Sequence, residues 1–260
     1  MKSEVQRLAE EFEGEIRLCT LNPVHLIPDL VRFGLAREVY VHANAVLLLL
    51  DSDVPGAVYP NARATFEAAE DLCLLIARED YDWWGGRAYV AELLDQQHSR
   101  GLAGKASTSM GKPHAILPFD DIDSVVRAEG DEWETHSGGK RELLLRALNA
   151  VRDARAAKPP RWHWSALTRA EIHSEVAAFA GEPPTSELIL KSWYNLLSFL
   201  AHPSPRLSPN QVEQQPDGSY AFLVTPEDRE DLSGLGGVAT ETALHIAIRA
   251  LRHWRGEQLA

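Results

Sequence analysis

Four polar side chains on two helix-forming stretches are the residues of this sequence best suited to chemistry. Arg63 and Glu67 lie four residues apart in YPNARATFEAAEDLCLLI (59–76), and Ser198 and His202 lie four residues apart in SWYNLLSFLAHPSPR (192–206). Residues at i and i+4 meet on one face of a helix. Polar groups that border an apolar stripe need partners or a ligand. We therefore predict that the two helices pack together around one polar centre.

His202 is the candidate general acid or base. It lies at the end of its predicted helix, where the helix dipole favours the imidazolium form, and Ser198 precedes it by one turn. A histidine that transfers protons needs such a local partner and access to solvent. The alternative is a histidine that only bonds the free carbonyls of the last helical turn.

Arg63 and Glu67 have the weaker order for an ion pair within one helix, because the arginine precedes the glutamate. Bonding between helices explains them better: Glu67 would orient His202, or Arg63 would bind an anion. The alternative is a structural ion pair at the edge of the core. Asn195 lies in the polar stripe of the second helix and is a candidate binding residue.

Two other patterns carry histidine. Arg37 and His42 match the R-x4-H spacing of metal-independent HEPN ribonucleases, but five residues apart they point about 140° from each other on a regular helix. We predict that they do not form a shared site. In the last helix, four residues follow at i+4 steps, as either part of the polar centre or a solvated charged face: Glu241, His245, Arg249 and His253.

Motifs for common cofactors are missing from the sequence. It contains no GxxxxGK[ST], no strand followed by GxGxxG, no HExxH and no GxSxG. His163 between Trp162 and Trp164 is a candidate for stacking or ligation, with packing as the alternative. We expect neither a cofactor nor a metal.

Composition limits the partners. The net charge of −12 argues against a broad phosphate-binding surface, although it leaves a local basic site open. The two cysteines form no disulfide framework and favour a reducing compartment. The N-terminus has no apolar signal core, and the longest apolar run, 45–50, is too short to span a bilayer. We predict a cytoplasmic protein with no membrane partner.

Hydrophobic periodicity predicts an all-α fold: one helical domain over 1–260, with an N-terminal helical extension over 1–35 and a partly irregular connection over 103–140. We predict one small β-hairpin near the C-terminus, over 210–224, with Asp217-Gly218 as its turn. The helices are predicted at 2–18, 34–50, 57–79, 86–101, 119–129, 139–157, a short helix that ends at Gly181, 185–202, and 227 or 237 to 256.

The order of these features resembles a bacterial family of uncharacterised helical proteins. Its members carry R-x3-E on one helix and Y-x3-S-x3-H late in the chain, followed by a hairpin and a final helix. The matching residues here are Arg63 with Glu67, and Tyr194, Ser198 and His202. The resemblance covers about residues 36–255 and implies a helical bundle, distantly HEPN-like, in which the two motif helices are adjacent. It adds Tyr194 to the candidate binding residues.

Two functional hypotheses follow. In the first, an HEPN-like protein of bacterial stress or phage defence cleaves RNA without a metal. His202 is then the general acid or base, Arg63 stabilises the phosphorane, and Glu67 orients either residue. In the second, the same residues form a structural network in a non-catalytic interaction or ligand-binding module. Both leave a protein partner and a homodimer open, and the sequence does not decide whether the protein is an enzyme.

Overall fold

The regular structure of the chain is almost entirely helical. The computed structural model describes residues 2–51, 57–109, 121–181, 186–201, 212–214, 220–222 and 226–256. Within them lie the helices α1 (Lys2–Leu18), α2 (Leu26–Leu49), α3 (Val58–Ile76), α4 (Tyr81–Ser109), α5 (Ile122–Glu134), α6 (Lys140–Ala156), α7 (Arg169–Ala180), α8 (Glu187–Ala201) and α9 (Pro226–Trp254), with a 3-10 turn at Pro23–His25. The all-α prediction is confirmed.

Two short strands lie between α8 and α9. They are β1 (Val212–Gln214) and β2 (Tyr220–Phe222), and they pair antiparallel with Val212 opposite Phe222. Residues 215–219, which would form the turn with Asp217-Gly218, lie outside the described residues. The predicted hairpin over 210–224 therefore stays a prediction.

Three helices, α2, α4 and α5, extend beyond their predicted bounds. α2 begins at Leu26 rather than after Gly34, with Pro28 in its first turn. Proline is tolerated there because the first N–H groups of a helix have no partner within it. α4 continues past Gly101 to Ser109, and α5 lies within the segment 103–140 that was predicted to be partly irregular. The described parts of that segment are thus largely helical.

The backbone divides into two compact units. Unit 1 comprises residues 1–19, 34–77 and 172–260, and unit 2 comprises residues 20–33 and 78–171. The division into two units does not test the predicted single domain over 1–260, which stays a prediction.

Unit 1 is built on α3, which packs against α8 and α9, while α1 packs against α9. The predicted inward stripe of α3 is buried, with Phe66 and Cys73 fully inaccessible to solvent. Gly236 permits the close approach of α9 to α3, because a Cβ at this position would lie 2.5 Å from the Cγ1 atom of Val58. This packing fixes the face of α3 that carries the candidate site.

Unit 2 is built on α6, which packs against α4 and α5. Trp133 of α5 is fully buried, and its Nε1 donates a hydrogen bond to the carbonyl of Val24 at 3.0 Å. Asp29 is almost fully buried and accepts a hydrogen bond from the Tyr81 hydroxyl at 2.7 Å. Burial raises the pKa of Asp29. The backbone N–H of Asn22 donates a second hydrogen bond, so both carboxyl oxygens of Asp29 have a partner.

Candidate functional site

The predicted ion pair on α3 forms. Arg63 Nε donates to Glu67 Oε1 at 3.0 Å, and the two side chains are 23% and 33% exposed. They therefore lie at the edge of the core, as the polar stripe beside Phe66 and Ala69 predicted. Because the Arg63 side chain is partly exposed, an anion can reach its guanidinium. The hydrogen bond to Glu67 restricts the orientation of that guanidinium.

Tyr194 of α8 meets this ion pair. The Arg63 guanidinium carbon lies 5.5 Å from the centre of the Tyr194 ring, within the range of a cation–π contact. The predicted packing of the two motif helices is confirmed, since α3 contacts α8. On α8, Ser198 is half-buried and Asn195 is exposed. His202 lies outside the described residues, so its place beside Arg63 and Glu67 stays a prediction.

A buried acid–histidine pair lies behind this surface, and the sequence analysis did not identify it. Glu70 of α3 and His173 of α7 are 0% and 2% exposed, and Glu70 Oε1 lies 3.3 Å from His173 Nε2. The centres of the His173 and Tyr194 rings are 5.5 Å apart. Tyr194 thus contacts the buried pair through His173 and the partly exposed pair through Arg63.

Periodicity could have located His173. In α7 the buried positions are Ile172, His173, Val176 and Ala180, which is the i, i+1, i+4, i+8 spacing of an inward face. A histidine on such a face needs a polar partner. Glu70 follows Glu67 by three residues on α3, so the same periodicity could have suggested its contact with His173.

Cys73 lies one turn after Glu70 and is fully buried. Burial raises the pKa of its thiol, and the charge of Glu70 raises it further. The nucleophilic form of cysteine is the thiolate, which this environment disfavours. Cys73 is therefore part of the core and not a catalytic nucleophile.

Arg37 and His42 are linked through a shared carboxylate. Arg37 Nη1 lies 3.3 Å from Glu38 Oε1, and His42 Nε2 lies 3.3 Å from Glu38 Oε2. His42 Nδ1 is also 3.0 Å from Asn61 Oδ1. Arg37 and His42 project in different directions from α2, and the link arises because the Glu38 side chain reaches both of them. Arg37 is 74% exposed, so the linked residues lie at the protein surface.

The polar stripe of α9 is partly buried rather than simply solvated. Burial raises the pKa of Glu241. Arg249 donates to the carbonyl of Ala180, the last residue of α7, and the His253 ring packs edge-on against Phe179 with centres 5.0 Å apart. Arg249 therefore caps the C-terminal end of α7, a common use of a basic side chain.

His163 takes a local packing role in unit 2. Its Nδ1 lies 2.6 Å from the Ser165 hydroxyl, and its ring is tilted against Trp164 with centres 5.1 Å apart.

A second histidine of unit 2, His25, belongs to a group of three polar side chains. His25 Nδ1 lies 2.7 Å from Asp82 Oδ1, and Lys140 bonds the other carboxylate oxygen of Asp82. The sequence analysis did not identify this Lys–Asp–His group, whose members are far apart in the chain.

Among the described residues, no group of three or more His, Cys, Asp or Glu side chains is arranged to hold a metal ion. No helix among the described residues is long and apolar enough to cross a membrane.

The polar surface of unit 1 thus consists of Arg63 and Glu67 on α3 with Tyr194 on α8, supported by buried Glu70 and His173. No protein-family model matches the chain, nor does any curated protein or solved structure.

Proposed function

We propose that the polar surface of unit 1 is the active site of a metal-independent, HEPN-like endoribonuclease that serves as a toxin or effector in bacterial stress or phage defence. In this proposal the protein acts in the cytoplasm. A homodimer and a protein partner are compatible with it.

The partly exposed Arg63 carries the proposal. RNA cleavage passes through a phosphorane with more negative charge than the substrate, and an oriented guanidinium stabilises that charge. Glu67 and the Tyr194 ring hold Arg63 from two sides, which reduces the reorganisation needed during the reaction. His202 would act as general acid or base, with Ser198 one turn before it. Tyr194 and Asn195 would bind the substrate.

Cleavage of a labelled RNA with a chelator present tests the proposal. We expect His202→Ala to reduce the rate by about a hundredfold or more, as loss of a general acid or base does. Arg63→Ala should cause a similar loss, as removal of a charge-stabilising donor does. His42→Ala is the matched control, because it removes the histidine of the R-x4-H match. This substitution should leave cleavage intact if the site lies at Arg63 and His202. Loss of cleavage in His42→Ala, with His202→Ala active, would move the site to α2.

A second candidate is a non-catalytic interaction or ligand-binding module. The complete burial of Glu70 and His173 favours it, because buried pairs of this kind also occur as structural networks. The charge of unit 1 favours it as well, since 22 acidic and 11 basic residues give it −11. In this case the wild-type protein cleaves no RNA. Arg63→Ala would then lower the melting temperature without a functional loss, whereas His202→Ala would barely change it.

A further inference from the structure

Unit 2 contains a ladder of arginine and tryptophan side chains. The guanidinium of Arg78 lies 4.7 Å from the centre of the Trp84 ring. Arg87 lies 5.1 Å from Trp84 and 5.8 Å from Trp83, and Arg146 lies 5.7 Å from Trp83. All four distances are within the range of cation–π contacts. The ladder, formed by Arg78, Trp84, Arg87, Trp83 and Arg146, is thus a run of alternating charges and rings.

Trp162 is exposed to solvent and lies two residues before Trp164, which contacts the ladder. Its side chain is 67% exposed, and the Arg155 guanidinium lies 5.8 Å from its ring centre. Two residues later, the Trp164 ring meets Trp84 at 6.2 Å, and the Trp164 carbonyl accepts a hydrogen bond from Arg87 at 3.0 Å. The exposed indole of Trp162 presents a large apolar face to solvent, on which a nucleic-acid base can stack.

The same segment is basic in an acidic chain. Residues 140–164 contain seven Lys or Arg and two Asp or Glu, a formal charge of +5, whereas the whole chain carries −12. Lys158 is exposed, and Arg161 is 37% exposed beside Trp162.

Acidic side chains from elsewhere in unit 2 pair with some of these cations. Such pairs join Lys140 to Asp82, Arg141 to Asp131, Arg152 to Asp123, Arg155 to Asp95 and Arg161 to Glu171, so five carboxylates from outside the segment face its excess of five positive charges. The carboxylates that face Arg155 and Arg161 are 60% and 54% exposed. Ion pairs this exposed are screened by water and contribute little to stability. A phosphate can therefore replace Glu171 at Arg161 at small cost and offers the guanidinium the same paired oxygens.

We propose that Trp162, Arg161 and Lys158, backed by Arg155, form a binding surface for single-stranded nucleic acid. A base would stack on the exposed indole, and the flanking phosphates would bind Arg161 and Lys158. An acidic peptide would satisfy the cations but leave the indole face unused, whereas a nucleotide satisfies both. Stacking and phosphate contacts do not depend on the sugar, so RNA and DNA strands should bind alike. The surface is independent of the proposed cleavage, because binding needs no catalytic residue.

Fluorescence anisotropy with the full-length chain and a chelator tests this surface. The probes are labelled oligo-dT and 2′-O-methylated oligo-U of about 20 nucleotides, because the proposed cleavage needs a free 2′-hydroxyl and is not stopped by a chelator. A DNA duplex of equal length serves for comparison. We expect both single strands to bind alike and more tightly than the duplex, with affinity that falls as salt rises. Trp162→Ala should weaken binding about tenfold, and Trp162→Phe should restore most of the loss.

Matched controls come from unit 1. Leu48→Ala removes an equally prominent apolar side chain, 79% exposed, and should leave binding unchanged. Arg161→Glu should weaken binding and reduce its salt dependence, whereas Arg37→Glu, at a side chain 74% exposed, should do neither. Wild-type affinity in Trp162→Ala, or no binding of either single strand, would overturn the proposal. Displacement of the oligonucleotides by polyglutamate, with binding insensitive to Trp162, would contradict it and indicate an acidic protein partner.

Discussion

Charge and burial distinguish the two units. Unit 1 carries 11 basic and 22 acidic residues, a formal charge of −11, whereas unit 2 carries 15 and 16, a charge of −1. Unit 1 places its histidine and glutamate pair in the core, while unit 2 places a tryptophan at the surface beside arginine and lysine. The proposed cleavage site and the proposed nucleic-acid surface therefore lie in different units, and only the proposed cleavage site lies in a strongly acidic unit.

This difference predicts two kinds of mutational effect. In unit 1, changes at Glu70 or His173 should act on stability, because removal of one of two neighbouring buried polar side chains leaves the other less well satisfied in the core. In unit 2, changes at Trp162 should act on binding, because the side chain packs little. Loss of stability should therefore be largest for changes at the buried pair and smallest for changes at the exposed Trp162.

The largest effect is expected at the buried pair. Glu70→Ala should lower the free energy of unfolding by roughly 3–5 kcal/mol, because it leaves His173 buried without its carboxylate and opens a cavity. Chemical denaturation followed by circular dichroism measures it.

A double substitution sharpens this prediction. Glu70→Leu combined with His173→Phe should destabilise less than Glu70→Ala alone, since an apolar pair has no desolvation cost. A Glu70→Ala protein as stable as the wild type would show that the pair contributes nothing to the core of unit 1.

Two tryptophans within unit 2 should differ sharply. Trp133→Ala removes a fully buried ring and should cost about 3–5 kcal/mol. Trp162→Ala removes an exposed ring and should change stability by less than about 0.5 kcal/mol. Thermal melts of the two variants measure the contrast. A large loss of stability in Trp162→Ala would mean that this ring supports the fold and would weaken its assignment to binding.

Sequence patterns located the helices and one half of the candidate site. The stripe of α3 predicted both the burial of Phe66 and the position of Arg63 and Glu67 at its edge, because burial on a helix follows a period of 3.6 residues. The same pattern predicted that α3 meets α8. The start of α2 was predicted too late, because Pro28 disfavours the interior of a helix but fits the first turn, where the structure places it.

Contacts between distant segments were beyond the reach of periodicity. Glu70 meets His173, and Asp82 meets His25 and Lys140, through the packing of helices that are far apart in sequence. The exposed Trp162 and its arginines were missed for another reason. The chain was judged by its total charge of −12, which hides a segment of +5. Charge counted over shorter windows would have identified it.

Crosslinking of RNA to the full-length protein tests most directly the assignment of nucleic-acid binding to unit 2. A single-stranded, 2′-O-methylated RNA that carries 5-iodouracil bases resists the proposed cleavage and reacts on irradiation with aromatic side chains against which its bases stack. After digestion with trypsin, mass spectrometry assigns the crosslinked peptides. We predict that the main crosslink lies in the peptide WHWSALTR, residues 162–169, and disappears in Trp162→Ala. Crosslinks confined to peptides of unit 1, with none in residues 162–169, would contradict the account.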